Sequence, residues 1–287
     1  PIPNQVLSLF TGLINKLQGQ MSAEVPRVFE AVFKCTLDMI TKNFEDFPEH
    51  RANLFNLLRA INHHCFPALL TDQGNFTLII ESIKWAFKHT ERNVAETGLN
   101  TLLELLNNVQ ASQVSNDFYR AYYLGLLQDV FSVLTDTLHK PGFKLHSQIL
   151  ASLFLAVQGD VITVPLWPSD QNVPAGTTNQ QFLRDLLLQM FTTSFPNLTQ
   201  PQLAATNRAF EEIHNLQLRY DGFSLIQRKN TKRRDETVNL VEDNVLATIS
   251  AMTAVSPRVT VAAPLRAVTV GDPPSLSSRM SRTPPDA

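Results

Sequence analysis

Apolar residues in this chain recur three and four positions apart, beginning with Val6, Leu9, Phe10, Leu13, Ile14 and Leu17. That period places side chains on one face of an α-helix, whereas a strand would alternate by two. Gly19, just beyond the run, is the expected C-terminal cap. Val28, Val32, Cys35, Leu37, Met39 and Ile40 carry the same spacing and predict a helix over 23–41. Pro26 falls in its first turn, where a missing N–H is tolerated. Pro48 opens a helix predicted to run to residue 70, bent near its end by the interior Pro67. Paired helices follow at 75–88 and 91–109, at 115–137 and 142–157, and at 179–194 and 199–217.

The first helices of these pairs start near residues 23, 75, 115 and 179, the last interval being lengthened by a loop over 158–178 that holds Pro165, Pro168 and Pro174. Without that loop the spacing is that of HEAT-type arrays, roughly 40–47 residues per helical pair. A single pair cannot bury its apolar face alone, so successive pairs stack. The expected fold is all-α, an α-solenoid of HEAT-type helical hairpin repeats over 1–227. The pattern then changes. Arg228 to Arg234 form a basic cluster, one amphipathic helix is predicted over 236–252, and 255–287 is rich in Pro, Ser, Thr, Val and Ala with no sustained period. Residues 228–254 therefore read as a basic linker and 255–287 as a disordered tail.

Charge sharpens the division. Residues 1–227 carry 15 Lys and Arg against 20 Asp and Glu, a net of −5, while 228–287 carry 9 against 6, a net of +3. A mildly acidic body suits a basic protein partner better than nucleic acid. Cys35 and Cys65 both lie in apolar helical patterns, which fits buried thiols in a reducing compartment rather than a disulfide framework. The longest apolar run, near 149–157, is too short to cross a bilayer. The Asn75 and Asn197 sequons read as chance. The chain opens on Pro1-Ile2-Pro3, as though partway into a helical array, and reads as a piece of something larger.

Little in the sequence suggests catalysis. No phosphate-binding loop, nucleophile elbow, zinc-protease helix or dinucleotide fingerprint is present, and no cofactor is expected. His63, His64 and Cys65 are adjacent, but successive helical residues point about 100° apart and cannot converge on one metal ion. The aromatic residues Phe29, Phe33, Phe55, Trp85, Phe87, Phe118, Tyr122, Tyr123 and Phe131 sit at helical spacing and read chiefly as repeat core. The polar stripes are more suggestive. Glu49, Asn56, Arg59 and His63 share one side of their helix, and Asn93, Glu96, Asn100, Glu104 and Asn107 share one side of theirs. In solenoids the second helix of each pair usually lines the concave face, so these nine are the candidate partner-binding residues. The basic residues Lys232 to Arg234 read as solvated linker before nuclear-localisation patch.

Two strings carry a resemblance. HRANLFNLLRAINHHCFPALL (50–70) and IKWAFKHTERNVAETGLNTLLELLNNV (83–109) are similar to the C-terminal helical repeats of the exportin-1 (chromosome region maintenance) family within the importin-β superfamily. The similarity covers about 4–227, more weakly through FLRDLLLQMFTTSFPNLTQPQL, and stops near Lys229. It implies a non-enzymatic nuclear export receptor segment that binds Ran in its GTP form cooperatively with cargo bearing leucine-rich export signals. It also implies shuttling between nucleus and cytoplasm, with nucleoporins as further candidate partners and no direct contact with nucleic acid or membrane. The family's export-signal groove lies in upstream repeats that are not in this chain. The family's acidic tail is not matched either, since the segment from Val255 has Asp272 and Asp286 against four arginines. The competing expectation is a generic HEAT-repeat interaction scaffold with no link to Ran.

Overall fold

A computed structural model describes residues 3–42, 46–134, 142–159 and 161–194, and every regular element among them is helical. The order is α1 (Asn4–Leu17), a 3₁₀ turn (Gln18–Met21), α2 (Val25–Val28), a π turn (Phe29–Phe33), α3 (Lys34–Lys42), α4 (Pro48–Leu69), α5 (Gln73–Phe87), α6 (Arg92–Gln110), α7 (Ser115–Leu134), α8 (Phe143–Gln158) and α9 (Asn179–Ser194). The predicted helix over 199–217, the linker over 228–254 and the tail lie outside the described residues. So do residues 135–137, the end of the helix predicted over 115–137, which is α7 here.

The helices form two rows. α1, α4, α6 and α8 pack side by side along their lengths, and α2–α3, α5 and α7 lie behind α4, α6 and α8. Contacts join residues about one repeat apart and in step, so helices within a row run parallel. Along the first row Arg59 meets Glu104, Asn62 meets Asn108, and Gln110 meets Ser152, pairs 45, 46 and 42 residues apart. In the second row Thr77 meets Tyr122 and Lys84 meets Asp129. The α4, α6 and α8 row is the densely packed one, whereas α5 and α7 reach each other mainly through long side chains such as Phe76 with Phe118 and Tyr122. One apolar core runs through the array from Leu7 to Leu187. This is the expected helical solenoid, with neighbouring hairpins burying each other's apolar faces.

Local chemistry explains most helix ends. Asp72 caps α5 by accepting the Asn75 N–H at 2.8 Å. Thr178 and Gln181 form a reciprocal capping box at α9: the Gln181 N–H donates to Thr178 Oγ1 at 3.2 Å and the Thr178 N–H to Gln181 Oε1 at 3.0 Å. Pro26 lies in the first turn of α2, as expected. α4 bends as Pro67 predicts, with the irregularity at Cys65 (φ −132°, ψ 29°), two residues before the proline. Pro67 has no N–H for the carbonyl four residues back, so the helix gives way there.

Three details depart from the sequence reading. The left-handed residue ending α1 is Gln18 (φ 52°, ψ −131°) and not Gly19, because the chain turns directly into the 3₁₀ turn against α4. The helix predicted over 23–41 is broken by the π turn, where Lys34 N–H reaches Phe29 O and the Phe29 and Phe33 rings stack at 4.2 Å. Cys35 is exposed, its thiol turned back to the Ala31 and Val32 carbonyls, while Cys65 is buried as expected. The exposure follows from phase: Val32, Phe33, Thr36 and Leu37 take the inward positions of that helix and leave Cys35 outside.

The proline-rich connection between α8 and α9 is held in place rather than looped out. Asn116 grips Thr163 with both ends of its amide, Nδ2 to Oγ1 at 3.0 Å and Oδ1 to the backbone N–H at 2.9 Å. Asn179 donates to the Ile162 and Val164 carbonyls and accepts the Leu166 N–H at 3.0 Å. Ile162 and Leu166 are buried beneath it, and Trp167 meets Phe182.

Candidate partner-binding face

The nine candidate residues occupy the exposed side of α4 and α6. Glu49, Asn56, His63, Asn93, Glu96 and Asn107 are exposed, and Arg59, Asn100 and Glu104 are half-buried. Three of them converge across the α4–α6 seam. Arg59 Nε and Nη2 donate to Glu104 Oε1 at 3.1 and 2.6 Å, and His63 Nδ1 stands 3.8 Å from Glu104 Oε2. Both partners are solvent-accessible, so the pair contributes about 0.5–1 kcal/mol and weakens with salt. Glu49 takes a hydrogen bond from Asn4 of α1, Glu96 lies one turn from Arg92, and Asn100 turns back to the Glu96 carbonyl at 2.9 Å. The stripe is therefore a polar surface continuous over two repeats, with Glu49, Glu96 and Glu104 as its carboxylates and Arg59 as its cation.

Beneath this surface lies a polar seam that the sequence reading missed. Asn62 is fully buried between α4 and α6. Asn108 Nδ2 donates to the Asn62 carbonyl at 2.8 Å, and Asn62 Nδ2 reaches toward the Thr101 carbonyl at 3.4 Å. The signal available was a polar residue at an apolar phase of α4, with a second asparagine one repeat later.

A second buried polar group ties the start of α4 to the start of α6. Arg51 is 3% exposed, yet it is a charged side chain. Its Nε donates to Glu91 Oε2 at 3.3 Å and its Nη1 to the Asp46 carbonyl at 3.2 Å. A buried guanidinium needs such partners, since desolvation is costly without them. The backbone bends to supply one: Phe47 is left-handed (φ 61°, ψ 47°), its ring edge-on to His50 at 5.8 Å. His89, buried against Trp85, accepts the Glu91 N–H at Nδ1. Burial, and next the Arg51 charge, hold His89 below the ordinary histidine value, with Glu91 partly opposing. His89 is thus a neutral structural histidine. Lys84 bridges Asp129 and Glu81 at 3.1 Å each; burial lowers its pKa, but the two carboxylates outweigh that and leave it raised. Burial pushes Tyr119 up to about 12, Gln110 partly offsetting it, and holds Tyr123 well above the phenol value. These groups build the array and do not form a reactive centre.

Among the described residues no cluster of His, Cys, Asp or Glu could hold a metal ion, and no helix is long and apolar enough to cross a membrane. His63 and His64 meet edge-on with ring centroids 4.6 Å apart, but Cys65 is buried and donates to the Gln18 carbonyl, so the three do not share a site.

Comparison with known proteins adds what this geometry leaves open. Residues 3–225 match the model of the family described as CRM1 C terminal. Protein EXPORTIN 1A of Arabidopsis thaliana is 48% identical over 213 residues, covering 74% of this chain and 20% of that protein. Exportin-1 of Schizosaccharomyces pombe is 50% identical over 202 residues, 69% of this chain and 19% of the relative, and Exportin-1 of Dictyostelium discoideum is 45% identical over 204 residues, 70% and 19%. The chain spans about a fifth of the length of these curated relatives. With the family match running through every described helix, the chain belongs to the exportin-1 C-terminal family.

Proposed function

We propose that this chain is the C-terminal arch of a nuclear export receptor and works by binding, not by catalysis, helping to hold Ran in its GTP form while export-signal cargo occupies upstream repeats. The observation that carries the reading is the match of residues 3–225 to the exportin-1 C-terminal family. The polar stripe on α4 and α6 supports it: Glu49, Glu96 and Glu104 outnumber Arg59 and the neighbouring Arg92, a mildly acidic rim suited to a basic protein surface. Ran and cargo that both favour the same receptor conformation raise each other's affinity through linkage. Such a receptor shuttles between nucleus and cytoplasm, and nucleoporins are further partners of this reading.

The test is binding of a full-length receptor carrying this segment to Ran in its GTP and GDP states, with and without an export-signal peptide. A preference for the GTP form that strengthens with peptide and weakens with salt is the expected result. Equal binding of the two nucleotide states by a folded receptor would replace this reading with a generic HEAT-repeat scaffold. Within the same assay, Glu96→Gln and Glu104→Gln together test whether the stripe is the contact. An unchanged affinity would move the contact elsewhere on the arch.

A further inference from the structure

Two backbone irregularities from different helices meet at one point. Gln18, at the end of α1, adopts φ 52° and ψ −131°, a region that side chains other than hydrogen disfavour. Cys65, inside α4, leaves helical geometry at φ −132° and ψ 29°. The two are bonded: the Cys65 thiol donates to the Gln18 carbonyl at 3.3 Å. Next to it, a Cβ on Gly19 would sit 3.9 Å from the His64 carbonyl, so the turn after α1 rests directly on the bend of α4. Pro67 explains why α4 bends near this point, but it does not require Gln18 to be strained.

We propose that the Gln18–Cys65 contact is a strained latch that couples the seating of α1 to the bend of α4. A thiol is a weak donor, so this one bond does not hold Gln18 in a disfavoured conformation by itself. The hold comes from α1, whose Leu7 and Ile14 are fully buried in the shared core. When α1 is seated, the Gln18 carbonyl is presented to Cys65 and α4 keeps its bend. When α1 shifts, Gln18 relaxes, the thiol loses its acceptor, and the last turn of α4 is free to rearrange. That turn begins just after His63, so the latch links the position of the first helix to the polar stripe of α4 without a ligand at the junction. Strain that persists because its surroundings over-determine it marks elements of this kind.

The test is amide hydrogen exchange on the whole chain, comparing wild type with Gln18→Gly, Cys65→Ala and Cys65→Ser. Glycine adopts the Gln18 conformation without strain and keeps the carbonyl, so the latch should tighten. Exchange across 60–70 should then slow by about threefold or more, although the substitution lies in another helix. Cys65→Ala removes the donor and should speed exchange across 14–21. Cys65→Ser, which restores a donor, should return those amides toward wild type, and this separates latch loss from any general loosening by the smaller side chain. Effects confined to the substituted segment would overturn the proposal: an unchanged 60–70 in Gln18→Gly, or an unchanged 14–21 in Cys65→Ala, each makes the contact incidental.

Discussion

Asn108 on α6 donates its side-chain amide to the backbone carbonyl of Asn62 on α4 at 2.8 Å, and Asn62 is fully buried. This bond satisfies main-chain oxygen one turn before the bend at Cys65, where the α4 ladder is interrupted. Removing the donor takes away one hydrogen bond at the α4–α6 seam, a net loss of about 0.5–1.5 kcal/mol. Asn108→Ala should lower the urea unfolding free energy by that amount. Asn108→Asp should cost more, because it sets a carboxylate against a carbonyl. Equal stability of wild type and Asn108→Ala would mean that water replaces the amide.

Gly98 sits where α6 crosses the end of α5. A Cβ there would lie 2.7 Å from the Phe87 amide nitrogen and 2.8 Å from Ala86 Cβ, and two of its three closest neighbours are backbone atoms. In an isolated helix, Gly→Ala would gain about 1 kcal/mol. Here Gly98→Ala should instead destabilise by about 1–3 kcal/mol, since the two helices must separate to admit the methyl group. Thermal unfolding of the variant decides the sign.

The buried His89 makes stability fall on mild acidification. Its folded pKa is depressed, so below about pH 6.5 the unfolded chain binds a proton that the folded chain resists, and stability is lost as pH drops from there through the folded value. Urea midpoints should therefore diverge between wild type and His89→Gln on going from about pH 7 to about pH 5, wild type losing more. Arg51→Gln removes a neighbouring positive charge and should move the His89 titration, followed by NMR, to higher pH. A titration that stays put would show that burial alone sets it.

Thr178 and Gln181 satisfy each other's orphan groups at the start of α9. Thr178→Ala should cost about 1 kcal/mol, the usual worth of an N-cap. Hydrogen exchange should show that loss in the first turn of α9, with α4 and α6 keeping wild-type protection. Uniform loss across the array would mean that α9 unfolds together with the central repeats.

How far the sequence led differs from element to element. The period of Val6 to Leu17 and the prolines at 26, 48 and 67 were enough to place α1, the start of α2 and the bent α4, because helix phase and proline chemistry are local. Cys35 misled because it falls within an apolar run, and only packing reveals that its neighbours take the inward positions. Gln18 misled for a related reason: glycine at 19 is the cheaper place for a positive φ, but the turn against α4 decides the backbone there. On the candidate face, helical phase put Arg59, His63 and Glu104 on matching stripes, yet their convergence depends on the register between α4 and α6, which no single helix encodes. Arg51 and Asn62 escaped notice since polar residues are expected outside, and their partners lie 40 and 46 residues away.

Along the α4, α6 and α8 row, and between α5 and α7, the bonds that join repeats run from helix to helix. The array therefore keeps count in turns of helix, not in residues. The connection between α8 and α9 shows the freedom this gives, its extra length absorbed by Asn116 and Asn179 while the helices on either side stay engaged. Within α4 there is no such freedom. One residue inserted between Asn56 and Asn62 would rotate everything after it by about 100°. Asn62 would swing away from Asn108 and Cys65 from Gln18 in the same stroke, detaching α4 from both of its neighbours at once. Length variation among relatives of this chain should accordingly gather in its turns and spare the interior of α4.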